Sequence, residues 1–147
     1  MRAGERSARA PAGARELDIK IAYGASAPAA ARRALEAEGL PPELLLDVQL
    51  LASELVTNSV RHGASHPGQW IGLRARRRRS GLRLEVCDPG PGFPAPPPVP
   101  QSVHPHGGRG LAIVERLTDR WGARRTADGR WEVWAEIDRP AIARPRG

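Results

Sequence analysis

An α+β domain is predicted for this chain of 147 residues, and three features of the sequence carry the prediction. Two pairs of alternating apolar and polar segments, 71–75 with 82–86 and 121–126 with 131–138, are each joined by a short polar turn, the signature of antiparallel hairpins. One long amphipathic helix is written into 43–62. A second, glycine-led helical stretch separates the hairpins.

The elements follow in order. Leu17, Ile19 and Ile21 alternate with Asp18 and Lys20, as in a half-buried strand. Ser26 and Pro28 open an alanine-rich helix that should stop at Gly39, and Pro41-Pro42 begins the next one. In that helix Leu44, Val48, Leu51, Leu55 and Ser59 recur at spacings of three and four, which predicts one buried stripe; Gly63 supplies the stop. Ile71, Leu73 and Ala75 and then Leu82, Leu84 and Val86 mark the inward positions of the first hairpin. Its tip is expected at Arg76-Arg77-Arg78-Arg79 with Ser80-Gly81, solvated and polar. The second strand ends at Asp88.

From Pro89 to His106 there are eight prolines in eighteen residues, which excludes helix and central strand and predicts a long irregular loop. Loops of that length in a compact domain are usually functional. Gly107 to Thr118 then places Leu111, Val114 and Leu117 on one helical face, and the last hairpin turns at Asp128-Gly129. Residues 1–14 and 140–147 lack periodicity and are expected to be poorly ordered tails around a single domain at 15–139.

Composition narrows the class of function. The net charge of +7 is almost entirely arginine, with Lys20 the sole lysine, and no groove-reading motif accompanies it, so direct nucleic-acid binding is not expected. No apolar run approaches the roughly 18 residues of a membrane span, and Met1-Arg-Ala-Gly-Glu-Arg lacks the apolar stretch of a signal peptide; a cytoplasmic location is expected. Cys87 is the only cysteine, which rules out an internal disulfide and a cysteine zinc cluster.

Three short polar motifs stand in fixed order. Glu54 and Asn58, four apart on the long helix, lie one turn above each other beside the apolar stripe, half-buried at the edge of the core. A carboxylate there can take a proton from a hydroxyl, and an amide oxygen is a hard ligand suited to Mg²⁺ carrying phosphates. Asp88, at the end of an apolar strand, can be held rigidly to accept a hydrogen bond from an exocyclic amine such as that of adenine, and Gly90 and Gly92 let backbone approach a flat ring. Gly107, Gly108 and Gly110 open a helix whose first N–H groups point outward, a ready anion site. Each motif alone also reads as something ordinary: a polar helix face, an Asp-Pro-Gly turn, a glycine-rich loop. Their order makes them specific.

Leu50-Leu-Ala-Ser-Glu54-Leu-Val-Thr-Asn58-Ser-Val-Arg-His62-Gly63, Asp88-Pro-Gly90-Pro-Gly92 and Gly108-Arg-Gly110-Leu111 resemble the N, G1 and G2 boxes of the GHKL superfamily of ATP-binding domains, the Bergerat fold of gyrase B subunits, MutL and histidine-kinase catalytic domains. The resemblance spans about 17–138. Ser53-Glu-Leu-Val-Thr-Asn58, Gly108-Arg-Gly-Leu-Ala-Ile-Val114 and Asp119-Arg-Trp-Gly122 look most like the actinobacterial anti-sigma regulatory factors, serine kinases of the RsbW and SpoIIAB type.

The resemblance implies a two-layer α/β sandwich with a mixed, mostly antiparallel sheet and helices on one face. It also implies ATP and Mg²⁺ as cofactors, with Glu54 as general base, Asn58 on Mg²⁺, and Asp88 on the adenine amine. Gly90 and Gly92 would line the base, Gly108, Arg109, Gly110 and Leu111 would hold the phosphates, and the proline-rich loop would be the ATP lid. The final strand departs from many relatives in carrying Glu132 near where a threonine helps to seat adenine. The implied activity is phosphorylation of a serine on a STAS-type anti-sigma antagonist, alternating with sequestration of a sigma factor, with a homodimer possible. A nucleotide-dependent partner-binding module without phosphotransfer is the competing expectation.

Overall fold

Five strands and three helices build two layers in the computed structural model, which describes residues 16–62, 69–88 and 108–139. The elements are β1 (Glu16–Ala22), α1 (Ala27–Glu36), α2 (Pro42–His62), β2 (Trp70–Arg78), β3 (Gly81–Cys87), α3 (Gly108–Leu117), β4 (Arg120–Arg125) and β5 (Trp131–Asp138). The sheet runs in the order β1-β2-β3-β5-β4 with every neighbouring pair antiparallel. Among the described residues the α+β expectation therefore holds, and the sheet is antiparallel throughout.

The period of two decides which face is covered. Ile21, Ile71, Leu73, Ala75, Leu82, Leu84, Val86, Ala135 and Ile137 are buried on one side, beneath the helices. The helices cross that face in the same order as the strands, α1 against β1, α2 against β3 and α3 against β4, so α2 is central with a helix on either flank. Its buried stripe is the one the spacing predicts: Leu44, Val48, Leu51 and Leu55, joined by Ala52 and Val56. Ser59 is half-buried. α1 begins at Ala27 with Pro28 in its first turn, and Gly39, at φ +68°, takes the left-handed conformation that ends it. Ser26 makes no side-chain cap bond.

The first hairpin differs from expectation. Arg76, Arg77 and Arg78 belong to β2, and only Arg79 and Ser80 form the turn. Arg76 is paired with Glu16 at 2.9 Å, and Arg78 with Glu136. Both lie on the uncovered face, where arginines and carboxylates alternate across strands: Glu136 also receives Arg83 and Arg120, each at 2.9 Å, and Glu85 receives Arg83 at 2.8 Å. A polar strand face is thus kept in the sheet by cross-strand ion pairs. Gly81 is required where β3 starts, because a Cβ there would lie 1.9 Å from the Ile137 carbonyl oxygen. The last hairpin turns where the sequence places it, with Gly129 at φ +81°. No helix among the described residues is long and apolar enough to cross a membrane.

Candidate functional site

One end of the two layers gathers the polar motifs. β1 ends there, with the Tyr23 N–H donating to the Gln69 carbonyl at 3.1 Å just before β2 begins. β3 ends there in Asp88, whose N–H donates to the Trp131 carbonyl at 2.6 Å at the start of β5. The last turn of α2 is fastened to the same end by the Tyr23 hydroxyl, which donates to the Val60 carbonyl at 2.7 Å. β4 starts at the opposite end, opposite Glu136, immediately after α3. α3, packed against α2 and β4, therefore has its C-terminal end, Leu117, at that opposite end, with Gly108 at its other terminus.

Glu54 and Asn58 sit on the flank of α2 that looks toward α3. On the other flank the Gln49 amide donates to the Arg32 carbonyl at 3.0 Å, and Arg32 donates to the Ser53 hydroxyl at 2.9 Å, so Gln49 and Ser53 mark the side turned to α1. At about 100° per residue, Glu54 and Asn58 lie roughly 140° round the helix from that pair. Asp47, on the same flank as Asn58, meets Arg139 beyond β5 at 3.4 Å, which locates that flank over the β5 and β4 side of the sheet. Both Glu54 and Asn58 are half-buried, as the spacing predicts. Among the described residues Glu54 forms no salt bridge, so the intrahelical Glu54–Arg61 pair that an ordinary polar face would offer is not made.

Asp88 is 3% exposed, beside Trp131 at 6%. Burying a carboxylate that deeply is costly unless polar partners meet it. Its charge is felt nearby: burial first, and then the negative charge of Asp88, push the Tyr23 phenol above its ordinary pKa. Gly108, Arg109, Gly110 and Leu111 open α3, whose first turn carries no acidic residue, and the first N–H groups and positive dipole end of a helix favour an anion in general. Gly90, Gly92 and the proline-rich loop lie outside the described residues.

Among the described residues no three His, Cys, Asp or Glu side chains cluster to hold a metal. A single amide such as Asn58 fits Mg²⁺, which keeps most of its shell for phosphate oxygens and water.

Two neighbours of the site carry no motif in the sequence. Tyr23 and Trp131 reach it through backbone carbonyls, and the only signal for them was aromatic residues beside strand ends. Glu132 is directed elsewhere: it lies on the uncovered face in an ion pair with Arg124 at 2.8 Å. A concavity of about 510 Å³ also opens on that face, between Trp70, Gly72, Cys87 and Arg130, away from the helices. Several of its charges are paired within it, Arg74 with Asp18 and Glu85 and Arg130 with Asp128, while Lys20 lies over the Trp70 ring.

A two-layer fold with a long amphipathic helix over an antiparallel sheet, a buried strand-end aspartate and a glycine-led helix start describes a nucleotide-binding ATPase domain. The chain belongs to the histidine kinase-like ATPase domain family, which matches residues 20–136, and ATP is the ligand that membership implies. It is 35% identical over 80 residues to an uncharacterized protein of Streptomyces coelicolor, a match covering 51% of this chain and 74% of that one. Among solved structures it is similar to a chain of the SiaB-SiaC complex from Pseudomonas aeruginosa, with a TM-score of 0.48 and 14% identity over 81% of this chain and 87% of that one.

Proposed function

We propose that the chain is a protein serine/threonine kinase that phosphorylates a serine of a STAS-type anti-sigma antagonist and, in the alternative complex, sequesters a sigma factor. The observation that carries this reading is the half-buried Glu54, one turn from Asn58, on the α2 flank that faces α3. ATP bound at this end supplies the γ-phosphoryl group. Asp88 holds the adenine amine, and Gly90 and Gly92 line the base. Asn58 offers its amide oxygen to Mg²⁺, and the α3 start from Gly108 to Leu111 binds phosphate oxygens. Glu54 takes the serine proton as the serine oxygen bonds to the γ-phosphorus and the bond from that phosphorus to the bridging oxygen breaks, releasing ADP; a carboxylate with no salt bridge among the described residues is a competent acceptor.

Glu54→Gln keeps size and a hydrogen-bonding oxygen but cannot take the proton, so it separates binding from chemistry. With labelled ATP and the STAS-domain protein encoded nearest in the genome, the variant should bind ATP normally and transfer phosphate about 100- to 10,000-fold more slowly. Wild-type protein that binds both ATP and this partner yet transfers nothing would favour a nucleotide-dependent binding module instead.

A further inference from the structure

The geometry points to Tyr23 as a positioning residue of the nucleotide site, one that sets the separation between the Asn58 turn of α2 and the buried carboxylate of Asp88. This rests on the assignment of Asn58 and Asp88 to ATP. The last four carbonyls of a helix have no partner within it. In α2, which ends at His62, these begin at Ser59, directly after Asn58. The Tyr23 hydroxyl reaches two of them, Val60 at 2.7 Å and Ser59 at 3.5 Å, from 37 and 36 residues away in the chain. It is therefore a tertiary cap placed on the turn that bears Asn58.

The rest of Tyr23 is anchored to the sheet. Its N–H is bonded to Gln69 and its residue follows β1 directly, so the phenol is a strut from the sheet end to the helix end. Burial first, and then the negative charge of Asp88, raise the phenol above its ordinary pKa, so the hydroxyl stays protonated and able to donate. Asp88 is itself tied to the sheet through Trp131. One hydroxyl thus ties the α2 turn that follows Asn58 to the sheet end at which β3 closes in Asp88, and so bears on the distance at which a metal-bound phosphate and an adenine would be held. Small displacements of such groups are expensive, because a ligand that spans both cannot satisfy one without losing the other.

Tyr23→Phe removes only the hydroxyl, and calorimetric titration with Mg-ATP and Mg-GTP at a temperature where the protein is folded reads its effect. The expected result is about a tenfold loss of Mg-ATP affinity with a reduced preference for ATP over GTP. A purely structural tyrosine would lower the melting temperature and leave that preference unchanged below it. Unaltered affinity and preference in folded Tyr23→Phe would overturn the inference, as would failure of the variant to fold, since the hydroxyl would then act on the whole domain. Asp88→Asn, titrated in parallel, separates the two ideas: if it binds ATP like wild type, the assignment of Asp88 fails; if it loses affinity and Tyr23→Phe does not, only the role of Tyr23 fails.

Discussion

At the scale of single residues, the candidate site sorts into groups whose chemistry is visible in their type and one whose role is not. Glu54, Asn58 and Asp88 could be singled out in the sequence only because three motifs stand in a fixed order, since each alone also reads as an ordinary polar helix face or turn. If Asn58 serves Mg²⁺, Asn58→Ala should flatten the magnesium dependence of ATP affinity while affinity for metal-free ADP changes little; equal magnesium dependence in mutant and wild type would remove it from that role. Tyr23 was not legible, because its partner is a backbone carbonyl 37 residues away and no residue type announces such a contact. Cys87 gives a pH prediction. Burial first, and then the charge of Glu132, raise its thiol pKa above the ordinary value. A raised pKa means less thiolate at a given pH, so alkylation of Cys87 should be slower in the folded protein than in the unfolded chain between about pH 8 and 9, with its midpoint displaced upward. A midpoint at or below that of the unfolded chain would contradict this.

At the scale of elements, the apolar periods were sufficient and the charge pattern misled. The α2 stripe and the inward positions of β2 and β3 are fixed by spacing, since each must bury one face. The arginine run read as a loop because four like charges in succession look solvated, yet three of them lie in β2, where Glu16 and Glu136 come from β1 and β5. Only the sheet order brings those carboxylates into register, and a one-dimensional reading has no access to it. Glu136 is the hub, 7% exposed with Arg78, Arg83 and Arg120 around it. Glu136→Gln removes a shared carboxylate from three guanidinium groups, of which Arg83 keeps Glu85 and Arg120 keeps Asp138. Because those groups remain partly exposed, the expected loss is about 1–2 kcal/mol in urea unfolding, below that for a fully buried pair. Gly81→Ala should cost more, since the new methyl meets backbone that cannot move without opening the β3 and β5 pairing. Unchanged unfolding midpoints in either variant would argue against this arrangement of strands.

At the scale of the whole molecule, the two layers bring the last turn of α2, Tyr23 and the strand end at Asp88 to one end among the described residues. The fold class was legible because hairpins and amphipathic helices have local signatures; the convergence was not, because it depends on strand order. Nucleotide bound only to the folded state must stabilise it, so Mg-ATP at about 100 times its dissociation constant should add about 2.7 kcal/mol and raise the melting temperature by several degrees. The central claim is that Asp88 reads adenine at this convergence, and calorimetric titration of wild type and Asp88→Asn with ATP tests it most directly. The account predicts a loss of about 2 kcal/mol in ATP affinity for the folded variant, because the substitution replaces a charged acceptor by a neutral amide that puts an N–H₂ donor where one carboxylate oxygen stood. Wild-type ATP affinity in Asp88→Asn would contradict it.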